Sequence, residues 1–589
     1  MKLNAVELRV SSRRAVLATV TAMALGVGAL HGQGSSDWPL HNLNLHNTRF
    51  SALDQITLAN VSKLTLKWTF GTEKADGLGS ATAVVVDGTL YVNAGSKLFA
   101  VNAETGKPVW TSEAAVAFGG GRRGPAYGDG RIYAVGQRYM YAADAKTGKP
   151  LESFGDKGVL SVANKALEFK YPGKYKADLD PVTIGYSIVS APTYVNGMVI
   201  LGIASAEMMI RGGFVVAMDG RTGAVKWVFN TIPQGPQDDG WDLVKDTWGS
   251  GAKVGGGIWT QPSVDAELGL LYVNVSNPVP AYDGSVRPGS NLFTNSIVAL
   301  RLDTGRLAWH FQMIHHDIWD YDSVSGPVLF DATVRGQRVK ALATFGKTCY
   351  GYMLNRETGA PLNPIVESAV PVTTDVPGEQ PWPTQPIPYT ARGVPQQPFC
   401  TIYPIVNDAE LAKRVRPLFH PYLMKEYVIT APANVGGANW GSPSFSPRTG
   451  LVYATGKNAA HSLKPKLVGS TMADNPGPDN IRHPDVDGPR GPTGYTDSTG
   501  IGAYNPGTGE LVWYTQLPGT TSSGNMVTAG DLLFQGVGDL FALDARTGKE
   551  VFRYASKLRI NTSPMTYQVK GKQFVAVVTG NAVLSFGLP

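Results

Sequence analysis

The sequence predicts an all-β protein, an eight-bladed β-propeller with tryptophan-docking repeats and a long cap insertion. Its composition is the first observation: among 589 residues, 69 are glycine, 40 are proline and 10% are aromatic, which is typical of a turn-rich β protein. The chain is too long for one ordinary core, so it needs several domains or a repeat architecture. The other two observations are a recurring turn motif and the lack of a helical stretch of note.

The recurring motif consists of a short apolar strand, a polar Thr-Gly turn and a second strand. The glycine supplies the positive φ of a tight hairpin turn. A tryptophan often follows four residues after this glycine, where it can dock one unit on its neighbour. Seven such units are visible, at residues 100–110, 142–151, 217–227, 299–309, 353–362, 503–513 and 542–552.

Further hairpins are expected between these units. Residues 82–95 (TAVVVDGTLYVNAG) and 192–202 (PTYVNGMVILG) contain V-D-G and V-N-G turns between alternating apolar runs. Several short strands in each unit favour a propeller. An early strand at residues 64–70 (LTLKWTF) is suited to close the ring, so we expect eight blades rather than seven.

One long insertion, residues 363–438, interrupts the repeats. It contains PGEQPWPTQPIP (377–388), which we expect to be too rich in proline for regular strands. A short helix is expected at residues 408–416. A disordered loop is the alternative, but the aromatic residues favour an ordered cap over one propeller face.

The first 33 residues have the pattern of an export signal. Arg13 and Arg14 precede an apolar run of sixteen residues (15–30), short for a membrane span and typical of a signal peptide. Both a Sec and a twin-arginine signal fit this pattern. We therefore expect export to a periplasm, with residues 34–589 forming a single propeller and no transmembrane segment after signal removal.

Charge and cysteine content narrow the function classes. The formal net charge is +6, and half of it lies before residue 15, so nucleic acid is not the expected partner. The two cysteines, Cys349 and Cys400, are not in a C-x-x-C-H motif, so no c-type haem is expected. They could form a disulfide in an oxidising compartment or remain two buried thiols.

These features together resemble the PQQ-dependent quinoprotein alcohol dehydrogenases, in their haem-free form. The resemblance covers the start of the propeller (LHNTRFSALDQITLANVSKLTLKWTF, 45–70), the tryptophan repeats and the close (PMTYQVKGKQFVAVVTG, 564–580). It implies an eight-bladed propeller that binds pyrroloquinoline quinone (PQQ) and Ca²⁺ or a lanthanide ion.

The resemblance implies a metal site built from side chains of separate blades. Glu207 in GIASAEMMIRGG, Asn277 in VSNPVPAYDG and Asp320 in HHDIWDYDS match the family's ligand positions. Their hard oxygen atoms suit a hard cation, although each residue alone has an ordinary structural explanation. Asp322 is a candidate fourth ligand, because lanthanide-dependent relatives carry an extra aspartate at this spacing. Sugar-oxidising relatives share the pattern, so calcium and lanthanide both remain open.

The resemblance also implies a set of residues that bind the quinone. Trp259, after three glycines, resembles the tryptophan on which PQQ stacks, with a core tryptophan as the alternative. Lys347 falls where the family places a cation beside the quinone carbonyls, which would stabilise charge during reduction. The remaining candidates are Arg123 (with Arg122 as the competing choice), Asn439, Trp440, Ser190 and Ser205.

The implied reaction is the oxidation of an alcohol to an aldehyde or ketone. Asp320 is the predicted general base, the metal the Lewis acid and PQQ the hydride acceptor. Electrons would pass to an external acceptor, for which a periplasmic cytochrome c is expected. The adjacent cysteine pair of methanol-oxidising relatives is missing from residues 115–125, which favours a primary or bulky secondary alcohol over methanol.

Two other functions are considered. One is a PQQ-dependent sugar or polyol dehydrogenase, and the other is a non-catalytic propeller scaffold of the cell envelope. The segment HHDIWDYDS (315–323) favours catalysis over scaffolding. It follows a blade motif, and its aspartate has matching candidate metal ligands elsewhere in the chain, which is not expected of a solvated turn. Its residues His315, His316 and Asp317 are expected to support the site rather than to bind metal.

Overall fold

The computed structural model describes residues 36–73, 77–78, 82–114, 123–204, 208–468, 485–487 and 490–589. Residues 35–589 form one compact unit. The predicted export signal and three of the predicted site residues, Arg122, Ser205 and Glu207, lie outside the described residues.

Eight sheets follow one another along the chain and form the eight blades of a propeller, as predicted. Within a blade, consecutive strands pair antiparallel through tight turns. Blades 1 to 4 consist of Val84–Val86, Thr89–Ala94, Lys97–Asn102 and Pro108–Glu113; Ala126–Gly128, Arg131–Val135, Met140–Asp144 and Val159–Leu160; Thr193–Val195, Met198–Ile203, Phe214–Asp219 and Val225–Asn230; and Ser263–Asp265, Leu270–Asn274, Ser296–Arg301 and Leu307–Gln312.

The remaining blades depart more from the repeat. Blades 5 to 8 consist of Val328–Val334, Gln337–Phe345 and Gly351–Asn355; Ser444–Ser446, Leu451–Asn458, Ser498–Asn505 and Glu510–Pro518; Met526–Thr528, Leu532–Val537, Asp539–Asp544 and Glu550–Tyr554, with Phe50–Ser51 added; and Met565–Val569, Lys572–Val578, Ala582–Gly587 and Thr65–Gly71. The ring closes as predicted, because Thr65–Gly71 pairs antiparallel with Ala582–Gly587 at the other end of the chain.

The tryptophans of the repeat dock five of the described blades on the next blade, as their spacing predicts. The indole N–H of Trp68 in blade 8 donates to the carbonyl oxygen of Ala103 in blade 1 at 3.1 Å. The ring lies on the turn glycine of that blade, so a methyl group at Gly106 would lie 2.8 Å from it. The same arrangement recurs at Trp110, Trp227, Trp309 and Trp513. The turn glycine is therefore required both for its positive φ and for the tryptophan it carries.

Helices are few but not absent, so the expectation of no notable helix is wrong at one position. The helix Val162–Lys170 lies between blades 2 and 3 and buries Val162, Ala163, Ala166 and Leu167 on one side. Two shorter α-helices span Trp241–Val244 and Ala409–Ala412, and two 3₁₀ turns span Val61–Lys63 and Pro181–Ile184. In the described part of the chain, no helix combines the length and apolarity needed to cross a membrane.

The insertion at residues 363–438, which we call the cap, takes the place of the fourth strand of blade 5. Contrary to expectation it contains regular strands, since Ile365–Ala369 pairs with Thr384–Pro388. Pro386 and Pro388 are two residues apart, so their backbone nitrogens, which carry no hydrogen, face the same side of the strand. That side is unpaired in a two-stranded ribbon, where proline is tolerated. The predicted helix is present but shorter, Ala409–Ala412. Asp408 caps its start, and the chain has left the helix by Val415, which pairs with Ile429.

Two further strand pairs lie outside the blades: Val428–Thr430 of the cap pairs with His461–Leu463, and Lys466–Val468 pairs with Asp485–Asp487. Cys349 and Cys400 form a disulfide, which decides the alternative that the sequence left open. This bond ties the segment after the second strand of blade 5 to the cap.

Candidate functional site

The predicted site residues lie at one end of the propeller because of the strand order in each blade. Consecutive strands of a blade run in opposite directions. One end of the propeller therefore holds the start of each first strand, the end of each second strand and the connection to the next blade. Arg123, Trp259 and Asn439 each precede a first strand, whereas Asn277 and Lys347 each follow a second strand. The segment 315–323 connects blade 4 to blade 5 at this same end.

Asp320, Asp322 and Lys347 form a buried charged triad. The ammonium Nζ of Lys347 lies 2.8 Å from Oδ1 of Asp320 and 2.6 Å from Oδ1 of Asp322. Lys347 donates a hydrogen bond to Asp320, whereas its contact with Asp322 is an ion pair without hydrogen-bond alignment. All three side chains are almost fully excluded from solvent, so the two carboxylates share one nearby cation.

Asp317 holds the turn that presents Asp320. Its carboxylate accepts hydrogen bonds from the backbone N–H of Trp319 and Tyr321, each at 2.8 Å, and from Asn295. These bonds bracket Asp320, whose φ of 61° lies in the left-handed region. Burial raises the pKa of Asp317, although the three donors act in the opposite direction.

The two histidines of this segment bind the cap, in keeping with a supporting role. His316 lies 2.8 Å from Oε1 of Glu379 through Nε2 and contacts the carbonyl oxygen of Gly289 through Nδ1. His315 lies 3.0 Å from Glu367 in the same way, but closer to solvent. The indole N–H of Trp319 donates to the carbonyl oxygen of His420, also in the cap. The cap therefore fastens directly to the segment that carries Asp320.

Asn277 offers a buried oxygen that fits a hard cation. Its side chain is 1% exposed, and its Oδ1 accepts no hydrogen bond from the described residues. Both carboxylate oxygens of Asp322 also lack a hydrogen-bond donor there. Buried oxygens of this kind are costly unless a cation or a ligand satisfies them. Within the described residues, no group of three or more His, Cys, Asp or Glu side chains is placed to hold a metal, and Glu207 is not among them.

The glycine run before Trp259 brings two loops into contact. The backbone N–H of Gly256 donates to the carbonyl oxygen of Asn277 at 3.0 Å, and that of Ser276 donates to Gly257 at 3.0 Å. A side chain at Gly255 would collide with the backbone of Asn277. Trp259 itself is half-buried, and its indole N–H has no partner among the described residues. The run thus fixes Trp259 and the metal-ligand candidate Asn277 relative to each other.

Arg123 and Trp440 form a second contact across the same end of the propeller. The guanidinium carbon of Arg123 lies 4.7 Å from the centre of the Trp440 ring. Asn439 accepts a hydrogen bond at Oδ1 from the backbone N–H of Trp440 at 2.9 Å. Nearby, Gly437 packs on the backbone of Lys347 and pairs with Lys457, so this loop also supports the charged triad.

Ser190 already uses its hydroxyl group within blade 3. It donates to the carbonyl oxygen of Gly202 at 2.9 Å and accepts from the N–H of the same residue at 2.8 Å. Its predicted role toward a cofactor carboxylate stays a prediction, with a structural role beside it. The supporting role expected for Asp317 fits its contacts, whereas the sequence did not indicate Glu379 and Gly437, because their contacts with His316 and Lys347 cross long sequence separations.

An eight-bladed propeller with a buried Asp–Lys–Asp triad and an aromatic, cation-bearing end defines a class of cofactor-dependent propeller enzymes. A family model described as the PQQ glucose/ethanol/alcohol dehydrogenase β-propeller domain matches residues 38–485 and 515–575. The chain therefore belongs to this PQQ-dependent dehydrogenase family, and it is a quinoprotein enzyme of the alcohol dehydrogenase type.

Individual relatives support this placement over nearly the whole chain. Quinohemoprotein alcohol dehydrogenase ADH IIB of Pseudomonas putida is 30% identical, over 97% of this chain and 78% of that protein. Quinoprotein alcohol dehydrogenase PedH of Pseudomonas putida is 27% identical, over 96% and 91%. The crystal structure of the Comamonas testosteroni quinohemoprotein alcohol dehydrogenase superposes with a TM-score of 0.73 at 26% identity, covering 94% of this chain and 80% of that chain.

Proposed function

We propose that this protein oxidises a primary or bulky secondary alcohol, rather than methanol, to an aldehyde or ketone. The observation that carries the proposal is the buried triad, in which Lys347 lies within 2.8 Å of Asp320 and 2.6 Å of Asp322. A carboxylate held beside a fixed ammonium, at the end of the propeller where the other site candidates lie, suits general-base catalysis.

The residues present fit PQQ, a flat, polyanionic quinone. Trp259 and Trp440 offer aromatic faces, and Arg123 and Lys347 offer cations for carboxylates and carbonyl oxygens. Asn439, Ser190 and Ser205 are proposed as further polar contacts. Glu207, Asn277, Asp320 and Asp322 are proposed to hold a cation beside the quinone. The buried oxygens without donors support Asn277 and Asp322, and the contact of Asp320 with Lys347 places its carboxylate beside that of Asp322.

Bound PQQ would supply the hydride acceptor, and the bound cation would supply Lewis-acid assistance. The chain itself supplies position and charge. Oδ atoms of Asp320 accept the proton of the substrate hydroxyl group, because this carboxylate is buried and held in place by the turn around Asp317. Lys347 balances the two carboxylates and places a positive charge where oxygen charge develops during the reaction. The cap helps to exclude water from this end of the propeller.

The ion is proposed to be Ca²⁺ or a lanthanide. Asp322 is compatible with both ions. Its carboxylate is already balanced by Lys347, as a site for Ca²⁺ would allow, and it would add negative charge for a trivalent ion. The sequence lacks a C-x-x-C-H motif, whereas several relatives are named quinohemoproteins. We therefore propose that electrons leave to a separate acceptor, a periplasmic cytochrome c, and that residues 1–33 direct export to that compartment.

A sugar or polyol is the second candidate substrate. It is favoured by the polar side chains of Tyr282, Tyr422 and His461, which gather beside Asp320. Reconstitution with PQQ and each metal in turn, with dye reduction as the readout, tests both candidates. We expect turnover on primary, secondary or polyhydroxylated alcohols, and little on methanol. Absence of PQQ-dependent turnover with both Ca²⁺ and La³⁺ would contradict the proposal.

A further inference from the structure

Three rings from different parts of the chain meet beside Asp320 in a cluster that we call the aromatic box. Tyr282 comes from the loop that carries Asn277, Tyr422 comes from the cap, and His461 begins the strand paired with Val428–Thr430. The ring centres are 5.8 Å apart for Tyr282 and Tyr422, 5.7 Å for Tyr422 and His461, and 6.3 Å for Tyr282 and His461. All three side chains are buried.

The box adjoins the predicted base. Tyr282 and Tyr422 belong to the same apolar cluster as Trp319 and Tyr321, the residues on either side of Asp320. Burial raises the pKa of the Tyr282 hydroxyl, and the negative charge of Asp320 raises it further. Burial also raises the pKa of Tyr422 to about 12, with a smaller contribution from Asp320. Both hydroxyl groups are therefore close enough to sense the charge of Asp320.

The hydrogen bonds of His461 fix its tautomer. Nη1 of Arg490 lies 3.3 Å from Nδ1 of His461, and the hydroxyl of Tyr422 lies 3.3 Å from the same atom. A guanidinium group can only donate, so Nδ1 is the acceptor and the single ring proton resides on Nε2. Burial, together with the charge of Arg490, lowers the pKa of His461 to about 3, so the ring is neutral at working pH.

The Nε2–H of His461 is a buried donor that the described residues leave unused. His461 is 5% exposed, and its Nε2 has no hydrogen-bond partner among them. An unsatisfied buried donor is destabilising, so native structures keep one mainly where a ligand or ordered water completes it. The neighbouring hydroxyl groups of the box make the surroundings of this donor polar rather than purely apolar.

We propose that His461 determines specificity by donating this hydrogen bond to a second oxygen atom of the substrate. The preferred substrates are then alcohols that carry a further hydroxyl, ether or carbonyl oxygen besides the hydroxyl oxidised at Asp320. This inference rests on the proposed function and deepens it. Arg490 acts as a positioning residue, because it holds the tautomer in which Nε2 bears the proton.

The test compares substrates that differ by one oxygen atom, such as cyclohexanol with its vicinal diol and butanol with a butanediol. The reconstituted wild-type enzyme should favour each diol in kcat/KM by about tenfold or more, since a site built to donate a hydrogen bond discriminates against an analogue that lacks the acceptor. His461→Phe keeps a ring without the donor, and should lower kcat/KM for the diol about ten- to a hundredfold more than for the mono-alcohol. His461→Gln, which retains an N–H at a similar position, should recover part of the preference.

Binding measurements separate this inference from the proposed function. The affinity of each substrate pair for the PQQ-loaded protein is measured by calorimetry, in wild type and in both variants. If no alcohol is oxidised but diols bind more tightly than mono-alcohols in a His461-dependent manner, the proposed function fails and the donor role stands. Equal losses for both substrates in His461→Phe, or a wild type without diol preference in binding and turnover, would overturn the role of His461. If His461 only holds an ordered water, the wild type should show no preference for diols in binding or in turnover.

Discussion

The ammonium of Lys347 lies 2.8 Å from Oδ1 of Asp320, and the two side chains are only 4% and 6% exposed. They come from different segments, since Asp320 lies in the connection that precedes blade 5 and Lys347 follows the second strand of that blade. Because this ion pair is buried rather than on the surface, removal of one partner leaves the other charge buried and unpaired, which is strongly destabilising. The pair is therefore the point at which the proposed chemistry can be tested most directly.

Asp320→Asn should abolish most of the alcohol oxidation. The amide has the shape of the carboxylate but cannot accept the substrate proton at neutral pH, so kcat should fall about a hundredfold to ten-thousandfold. The measurement is dye-linked turnover of the reconstituted enzyme. The matched control is Asp303→Asn, an exposed aspartate in a Thr-Gly turn of blade 4. Asp320→Asn with wild-type kcat would rule out Asp320 as the base.

Asp322→Ala separates lanthanide from calcium use. If Asp322 is an additional ligand that helps to balance a trivalent ion, its loss should reduce La³⁺-supported turnover about tenfold more than Ca²⁺-supported turnover. Metal affinity, followed by titration of each ion into the PQQ-loaded protein, should change in the same order. Equal retention of La³⁺ and Ca²⁺ activity would remove the basis for a lanthanide role.

Glu379→Gln should destabilise the protein in a pH-dependent manner. Burial opposes ionisation of Glu379, but the hydrogen bond and charge of His316, with Arg287, outweigh it and hold the pKa below 4.5. The ionised form therefore stabilises the fold above pH 4.5, and this contribution disappears as the pH falls through the lowered pKa. We expect a loss of about 1–3 kcal/mol at neutral pH, from calorimetric or denaturant unfolding, and a smaller loss once the pH falls through the lowered pKa of Glu379.

The control for that pair is Glu367→Gln. Glu367 makes the same kind of contact with His315, at 3.0 Å, but is 52% exposed. Exposed ion pairs contribute about 0–1 kcal/mol, so this variant should be close to wild type. Equal losses in the two variants would mean that burial of the Glu379–His316 pair is not what matters.

Removal of the Cys349–Cys400 disulfide should weaken the hold of the cap. The bond joins residues 51 apart in sequence, and a loop of this size is associated with about 2–4 kcal/mol of stabilisation. The double variant Cys349→Ala/Cys400→Ala avoids unpaired thiols. We expect unfolding at lower denaturant concentration and faster proteolysis within residues 363–438. An unchanged unfolding midpoint would contradict this expectation.

Gly106→Ala should destabilise the ring more than Gly130→Ala. Both glycines have positive φ, 73° and 76°, but a methyl group at Gly106 would lie 2.8 Å from the ring of Trp68, whereas the space at Gly130 is open. The control should cost about 1–2 kcal/mol for backbone strain alone, and Gly106→Ala a further 1–3 kcal/mol, roughly, for the clash. Denaturant unfolding measures both, and equal losses would argue against tryptophan docking at this junction.

The fold could be predicted because its signals are local and repeated. Each Thr-Gly turn specifies a hairpin within a dozen residues, the tryptophan at a fixed offset indicates docking on a neighbouring blade, and the strand at 64–70 marks the closure. Outside the repeats the sequence prediction is wrong at two places. It does not include the helix Val162–Lys170, and it expects no regular strand at residues 377–388, where Thr384–Pro388 forms one. In the second case a two-stranded ribbon leaves the proline nitrogens unpaired without cost, which sequence alone does not reveal.

The sequence by itself determined the blade repeat and the number of blades, and it supplied the candidate residues for the site. Only the tertiary structure decided that Lys347 lies between Asp320 and Asp322, and that the cap contacts their turn through Glu379. It also decided that Cys400 of the cap bonds to Cys349, two residues after Lys347. The physical reason is that hairpins are made between near neighbours in sequence, and that the docking tryptophans repeat at a fixed offset from the turn glycine. Charge pairs and buried donors such as His461 acquire their meaning from groups brought together across blades, where burial sets their protonation and their partners.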